Sequence, residues 1–482
     1  MTQQKWIDLL KKELKVDDPT RFLRREWAPG HGHSLLATDC RPAGILPSAT
    51  PALSLTWSQR DEVRWGEVAE LVRLGVWDFI FDPWLLGLSA GETQAQLAEA
   101  SAALSGVEAR LWVVDPGPGP VVGRPLYSAR EAHAQGAPGS LELALLVLKV
   151  ARWAQSPQPQ EIGVALYLER EFFFSIAKLR ALKLMALSVL ERLAKPELAA
   201  KLSFVARVSW REFTAFDASN NILRTSNAVA AGLMAGAHVV EALPFDLLWP
   251  GPSSEAARRL CLTTQLILQN ESTLGEVQDP AAGSFAIEEL TEALIQESWP
   301  CFQQLSQLDE ESRSAQVEAL SRAHFATLAK AMHTRRLVQT GVNDFPQAER
   351  VLLAERWQRT DHVRLARDFE ELRLALVAAP KVTLLRLGDS ASLEARLNFT
   401  RNFFELLGCA TETLVVSLED PPPVTGVCAW VARDEDHAKL TAVGERCYLA
   451  GRTAVAPLIN IFAGMDVLAA LRDLAQWHQE RL

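Results

Sequence analysis

Alternation of strand-like and helix-like runs constrains this chain more than any other feature. Apolar runs of strand length occur at Leu53–Trp57, Trp77–Asp82, Leu111–Asp115, Ile162–Leu168, Phe204–Trp210 and Val239–Phe245. Between them lie runs at helical spacing: Glu67–Leu74, Gln94–Ala103, Leu141–Ala154, Phe172–Leu193 and Ala256–Gln269. Repeated strand–helix units bury both faces of a sheet by laying its strands parallel. Eight such units close into a barrel of about 250 residues, roughly the length over which the alternation runs. Six or seven strands are clear, so the pattern gives parallel βα units directly and closure only by extension.

The strands suggest which side chains fill such a barrel. Leu53, Leu55, Trp57, Phe79, Phe81, Phe204, Ala206, Val208, Val240 and Ala242 are the expected inward set. A packed interior is the default for this architecture. Phe172–Leu193 is apolar nearly all round and reads as a helix wedged between other elements. The run DPGPGPVVGRP at 115–125 is a loop, because proline and glycine dominate it. The stretch 27–48 is loose.

A second alternating block begins at Lys381. Its strands are Val382–Leu387, Thr413–Leu418 and Val427–Ala432, with a further run near Leu458–Phe462. Its helices are Leu393–Leu407, His437–Leu449 and Met465–Gln476, giving a small doubly wound α/β domain. Pro421–Pro423 is a rigid loop. The expected divisions are an N-terminal extension over 1–48, a barrel over 49–305, a helical linker over 306–380 and the small domain over 381–482.

Charge and cysteine usage narrow the function classes. The net charge of −10 is spread without blocks of one sign, which disfavours nucleic-acid binding. No apolar run approaches the ~20 residues of a membrane-spanning helix. The N-terminus lacks an apolar signal core and instead places Trp6, Leu9, Leu10 and Leu14 on one face of a short amphipathic helix. Six cysteines, at 40, 261, 301, 409, 428 and 447, show no C-x-x-C spacing. They read as free thiols of a cytoplasmic protein.

Three motifs in order carry a resemblance. They are Asn220-Asn221-x-x-Arg224-Thr225, Thr264-Gln265-Leu266-x-Leu268-Gln269-x-Glu271-Ser272 and Asp279-Pro280-x-x-Gly283-Ser284. This order resembles the late βα units of the cobalamin-dependent acyl-CoA mutases, the methylmalonyl-CoA mutase family. Leu243-Pro244-Phe245-Asp246, Phe462-Ala463-Gly464-Met465-Asp466-Val467 and Lys11-Lys12-Glu13-Leu14-Lys15 look like its small, non-catalytic subunit. The likeness covers most of 5–20 and 160–482 and is weak over 25–125. It implies a (β/α)8 TIM-type barrel followed by a smaller flavodoxin-like domain of cobalamin-binding type.

The resemblance also shows what is missing. Catalytic members hold the substrate thioester in the barrel beneath a Tyr-His pair. The gapless match on Gly136-Ala137 and Glu142 puts Arg130 and Glu131 at those positions. A carboxylate cannot donate a hydrogen bond to a carbonyl. His133 lies two residues too late and is a weak substitute. A substrate-contacting His-x-Gln becomes Val205 and Arg207, and a later His-Thr-Asn begins at Glu241. The cobalt-ligating Asp-x-His-x-x-Gly loop corresponds to Gly388–Glu394, which contains no histidine. No Gly-Gly occurs after residue 382.

The expected function is therefore that of a non-catalytic subunit. It would pair with a large catalytic mutase subunit that holds adenosylcobalamin and interconverts methylmalonyl-CoA and succinyl-CoA. This chain would bind no cofactor and no metal, and Trp6, Leu9, Leu10 and Leu14 would meet the partner. The rivals are an active acyl-CoA mutase of another specificity and a regulatory barrel that binds an acyl-CoA without turnover. His31-Gly32-His33 lacks a third metal ligand, and Asp434–His437 reads as a solvated helix start. Asn220, Asn221 and Arg224 read as loop-shaping residues.

Overall fold

A computed structural model of the chain describes residues 24–28, 31–34, 53–56, 65 and 68–481, the last range with gaps of which 117–122 and 347–362 are the longest. The N-terminal face of Trp6, Leu9, Leu10 and Leu14 lies outside the described residues, as do Trp57 and the side chains of the 31–34 and 53–56 strands, Leu53 and Leu55 among them. The stretch expected to be loose contains strand residues. β1 (Arg24–Ala28) and β2 (His31–Ser34) pair antiparallel. Two compact units follow from the contacts of the chain.

The first unit gathers residues up to 211, 221–325 and 359–363. Its sheet has seven strands in chain order: β3 (Leu53–Thr56), β4 (Val76–Phe81), β5 (Arg110–Val114), β6 (Arg124–Ser128), β7 (Ile162–Leu168), β8 (Leu202–Val208) and β9 (Val239–Val240). Every neighbouring pair is parallel. The last strand returns beside the first, so the sheet curls into a TIM-type barrel. β6 is a strand that the proline-rich reading of 115–125 concealed. β9 is shorter than the expected Val239–Phe245 and ends at Val240.

Helices connect the strands. Ala90–Ala103 begins with a capping box in which Ser89 Oγ accepts from the Glu92 N–H and the Glu92 carboxylate accepts from the Ser89 N–H. Phe172–Arg192 is buried on nearly all sides, as its apolar sequence requires. Glu255–Leu266 runs into a π-helical turn at Ile267–Glu271.

Among the described residues the barrel interior is packed, but Phe79, Phe81, Phe204, Ala206 and Val240 of the expected set do not fill it. Ile80, Trp112, Val114, Leu126, Ala165, Val205 and Val239 form one buried cluster, drawn from six adjacent strands. Side chains from so many strands meet only on the concave face of a closed sheet. Phe79 and Phe81 instead pack with Trp65, Val68, Leu97 and Ala100 on the helical side. Phe204 sits under the Lys183 ammonium of the helix Phe172–Arg192, 5.9 Å away. Ala206 and Val240 face the helix Ser219–Met234, where a Cβ on Gly232 would lie 2.9 Å from Ala206 and 3.1 Å from Val240. Phe204, Ala206 and Val240 thus point outward, and the alternation of a strand places Val205 and Val239 inward.

The second unit gathers 212–220, 326–358 and 364–482. β10 (Val382–Leu387), β11 (Thr411–Val416), β12 (Val427–Val431), β13 (Arg446–Ala450) and β14 (Ile459–Ile461) form a parallel sheet in the order β11-β10-β12-β13-β14. That is the flavodoxin-like order. β13 occupies the second half of the expected helix His437–Leu449, so the sheet has a fifth strand. Asp434–Lys439 makes only a 3-10 turn, and the buried run Cys447–Ala450 needs a partner on each side rather than a helical stripe. Glu394–Glu405 and Val467–Gln479 are helices of this sheet. Glu370 anchors the segment 212–220 within the unit by accepting from Thr214 Oγ1 at 2.8 Å and the Ala215 N–H at 2.7 Å.

Candidate functional site

Parallel barrels carry their chemistry at the C-terminal ends of the strands. At that mouth the structure gathers most of the singled-out residues. Arg207, at the end of β8, donates from Nε and Nη2 to the two oxygens of Glu241, both at 2.9 Å. Its Nη1 donates to Asp82 Oδ2 at 2.8 Å and to the Tyr167 hydroxyl at 3.2 Å. Arg130 follows β6 and donates to the other Asp82 oxygen at 3.1 Å. Arg207, Asp82 and Glu241 are buried. Two cations and two anions close this group with no net charge. Val205 lies one layer deeper in the apolar cluster, and Glu131 is exposed and outside the group.

A second group adjoins it. The Tyr167 ring stacks on His133 at 4.2 Å between centroids, with the planes 10° apart. His133 is buried and fully engaged: Nδ1–H donates to Glu142 Oε1 at 2.6 Å, and Nε2 accepts from Ser209 Oγ at 2.9 Å. Burial, then Arg211 and Lys178, holds its pKa well below the usual value, so the ring is neutral. Both ring nitrogens are committed within the protein.

His133, Glu142 and Glu169 approach one another closely enough to offer a ligand set for a metal ion. A lysine takes that place. Lys178 Nζ lies 3.0 Å from Glu142 Oε2, 3.1 Å from Glu169 Oε1 and 3.0 Å from the Tyr167 carbonyl. Burial pulls its ammonium down, but Glu142 and Glu169 outweigh burial and raise its pKa. Arg211 donates to the carbonyls of His133 at 2.8 Å and Ala137 at 3.2 Å.

These ion pairs use the donors and acceptors that a substrate carbonyl or carboxylate would otherwise meet. Behind them the interior is filled. A Cβ on Gly163 would lie 2.5 Å from Leu126 Cδ1 and 3.0 Å from the Trp112 ring. Trp112 Nε1 donates to Asp78 at 2.6 Å.

Asp82, Tyr167, Glu169, Lys178 and Arg211 were not singled out from sequence. A signal for Lys178 existed: a charged residue inside a helix that is apolar on all sides is buried, and buried charge is paired. Residues of the first and third family motifs make hydrogen bonds and ion pairs within the fold. Asn221 donates to the Phe245 carbonyl at 3.0 Å, Arg224 to Asn221 Oδ1 at 2.8 Å, and Thr225 to the Leu243 carbonyl at 3.1 Å. Asp279 and Glu288 both pair with Arg180, the second at 2.7 Å.

In the small sheet, His437 is fully buried rather than solvated. Its Nε2 lies 3.1 Å from Arg396 Nη1, and its ring rests on Gly451, where any side chain would overlap it. No helix among the described residues is long and apolar enough to cross a membrane.

The family model described as Methylmalonyl-CoA mutase matches residues 162–381. The chain is 30% identical to the methylmalonyl-CoA mutase small subunit of Porphyromonas gingivalis over 313 residues, 58% of this chain and 50% of that protein. It is 31% identical to the probable small subunit of Mycobacterium bovis over 361 residues, 66% of this chain and 58% of that protein. It is 30% identical to the small subunit of Streptomyces virginiae over 386 residues, 70% of this chain and 62% of that protein. The chain thus spans between half and 62% of the length of these curated relatives.

Proposed function

We propose that this chain, which resembles methylmalonyl-CoA mutase small subunits, is the non-catalytic partner of a large mutase subunit. In this reading the large subunit holds adenosylcobalamin and isomerises methylmalonyl-CoA and succinyl-CoA. The cofactor supplies the radical there, and this chain supplies an interface and stability. One observation carries the reading. Arg130 and Arg207, at positions where catalytic relatives place substrate-handling side chains, are tied to Asp82 and Glu241 across the barrel mouth.

His437 supports the cofactor side of the reading. It is buried against Arg396 and Gly451, and the loop expected to ligate cobalt has no imidazole to offer. The residues do not fit cobalamin. The test is reconstitution. Full-length chain is mixed with the large subunit from the same host, and complex mass and mutase rate are measured. The reading requires a stable complex whose activity depends on the large subunit's site. A chain that neither binds the large subunit nor affects its stability contradicts it.

A further inference from the structure

Cys428 in β12 and Cys447 in β13 are register partners on adjacent parallel strands. Their sulfurs lie 3.0 Å apart, closer than unbonded sulfurs ordinarily pack. Neighbouring strands run about 4.8 Å apart, and disulfide-bonded Cα atoms span about 4.4–6.8 Å. The backbone is therefore already at bonding distance. Both thiols are free and buried among Leu385, Trp430 and Leu449. We propose that Cys428 and Cys447 form an oxidisable dithiol, which a small hydroperoxide converts to a disulfide tying β12 to β13.

The two sulfurs are not equivalent. Cys428 donates its S–H to Cys447, and the Gly444 N–H points at Cys447 Sγ from 3.2 Å. These hydrogen bonds, Cys428's first, hold the Cys447 thiol below the usual range. Burial pushes Cys409 up to about 12. Cys447 is therefore the nucleophile. Its thiolate attacks one peroxide oxygen, the O–O bond breaks, and hydroxide leaves as a sulfenic acid forms. Cys428 sulfur then attacks the Cys447 sulfur, the S–O bond breaks, and the departing hydroxide takes the Cys428 proton as water. Two electrons pass from the sulfur pair to the peroxide.

The cover over the pair is thin. Thr441, Ala442 and Glu445 are exposed, and a Cβ on Gly444 would lie 3.2 Å from Cys428 Sγ. A backbone turn with a glycine at its contact point separates the sulfurs from solvent. A molecule as small as hydrogen peroxide needs only a local opening of that turn.

The experiment treats the full-length chain with a few equivalents of hydrogen peroxide and then traps remaining thiols under denaturing conditions. Six thiols titrate in the reduced protein, since the chain has six cysteines. The oxidised protein should show four, with a mass lower by two hydrogens and one cross-linked peptide pair holding Cys428 and Cys447. Dithiothreitol should restore all six. Cys428→Ala should abolish the cross-link and leave oxygen adducts on Cys447. Six thiols retained after treatment, or a cross-link between any other pair, overturns the proposal. Both results are read on the wild-type chain and do not depend on the variant folding.

Discussion

Arg207 Nη1 lies 2.8 Å from Asp82 Oδ2, although three strands stand between β8 and β4 in the sheet order. In a flat sheet with strands about 4.8 Å apart, those side chains would start roughly 19 Å from one another. They meet because the sheet is curled. The pair reports barrel closure and the blocked mouth in one contact.

Removing the arginine should therefore be costly. Arg207→Met leaves Asp82 and Glu241 buried without it, and breaking a buried pair from one side costs about 3–5 kcal/mol. Arg207→Met with Glu241→Leu should recover much of the loss, because no unpaired glutamate remains. Urea melts of the two variants and wild type measure both. Equal destabilisation in the single and double variants would show that the pairing is not what matters.

The interior below the mouth should reject added volume. Gly163→Ala places a methyl group 2.5 Å from Leu126 and 3.0 Å from Trp112. Overpacking of this kind costs about 1–3 kcal/mol. Unchanged stability would mean the interior has slack that the packing does not show.

Stability should fall on mild acidification. Burial, then Lys183 and Arg110, lowers the His238 pKa from 6.5 to about 4, and His133 shifts the same way. As pH drops, the unfolded chain takes the proton first, so the contribution of His238 is complete above 6.5 and is lost as pH falls toward 4. His238→Asn keeps an acceptor for the Phe204 N–H, which now donates to His238 Nδ1 at 3.1 Å. That variant should flatten the pH dependence between 6.5 and 4, read from thermal melts across that window. An unaltered slope would count against a buried neutral His238.

Much of the fold was legible in the sequence, down to β7, whose observed limits Ile162–Leu168 are those its apolar run suggests. The inward face of the barrel was not. Both faces of a parallel strand are apolar, so hydrophobicity cannot tell Phe204 from Val205. β13 was hidden for a similar reason: buried runs such as Cys447–Ala450 carry no period that separates strand from helix. Arg207 and Glu241 were legible as departures from the family. The pairing of Arg207 with Asp82 was not, because only closure of the sheet brings 82 and 207 together.

The N-terminal segment tests the partner role separately. Burying three or four of Trp6, Leu9, Leu10 and Leu14 against a partner would contribute on the order of 5 kcal/mol before ordering costs. Deleting residues 1–20 should weaken the complex with the large subunit and leave this chain folded. Complex mass by light scattering, with circular dichroism as the folding control, measures it. Unchanged assembly would remove the segment from the interface.

The central claim is that this barrel does not turn over an acyl-CoA. The direct measurement is mutase turnover by the purified chain alone, with adenosylcobalamin and methylmalonyl-CoA, beside the same assay after adding the large subunit. The account predicts no succinyl-CoA from the chain alone, and activity only in the mixture. Succinyl-CoA formed by the chain alone would contradict it.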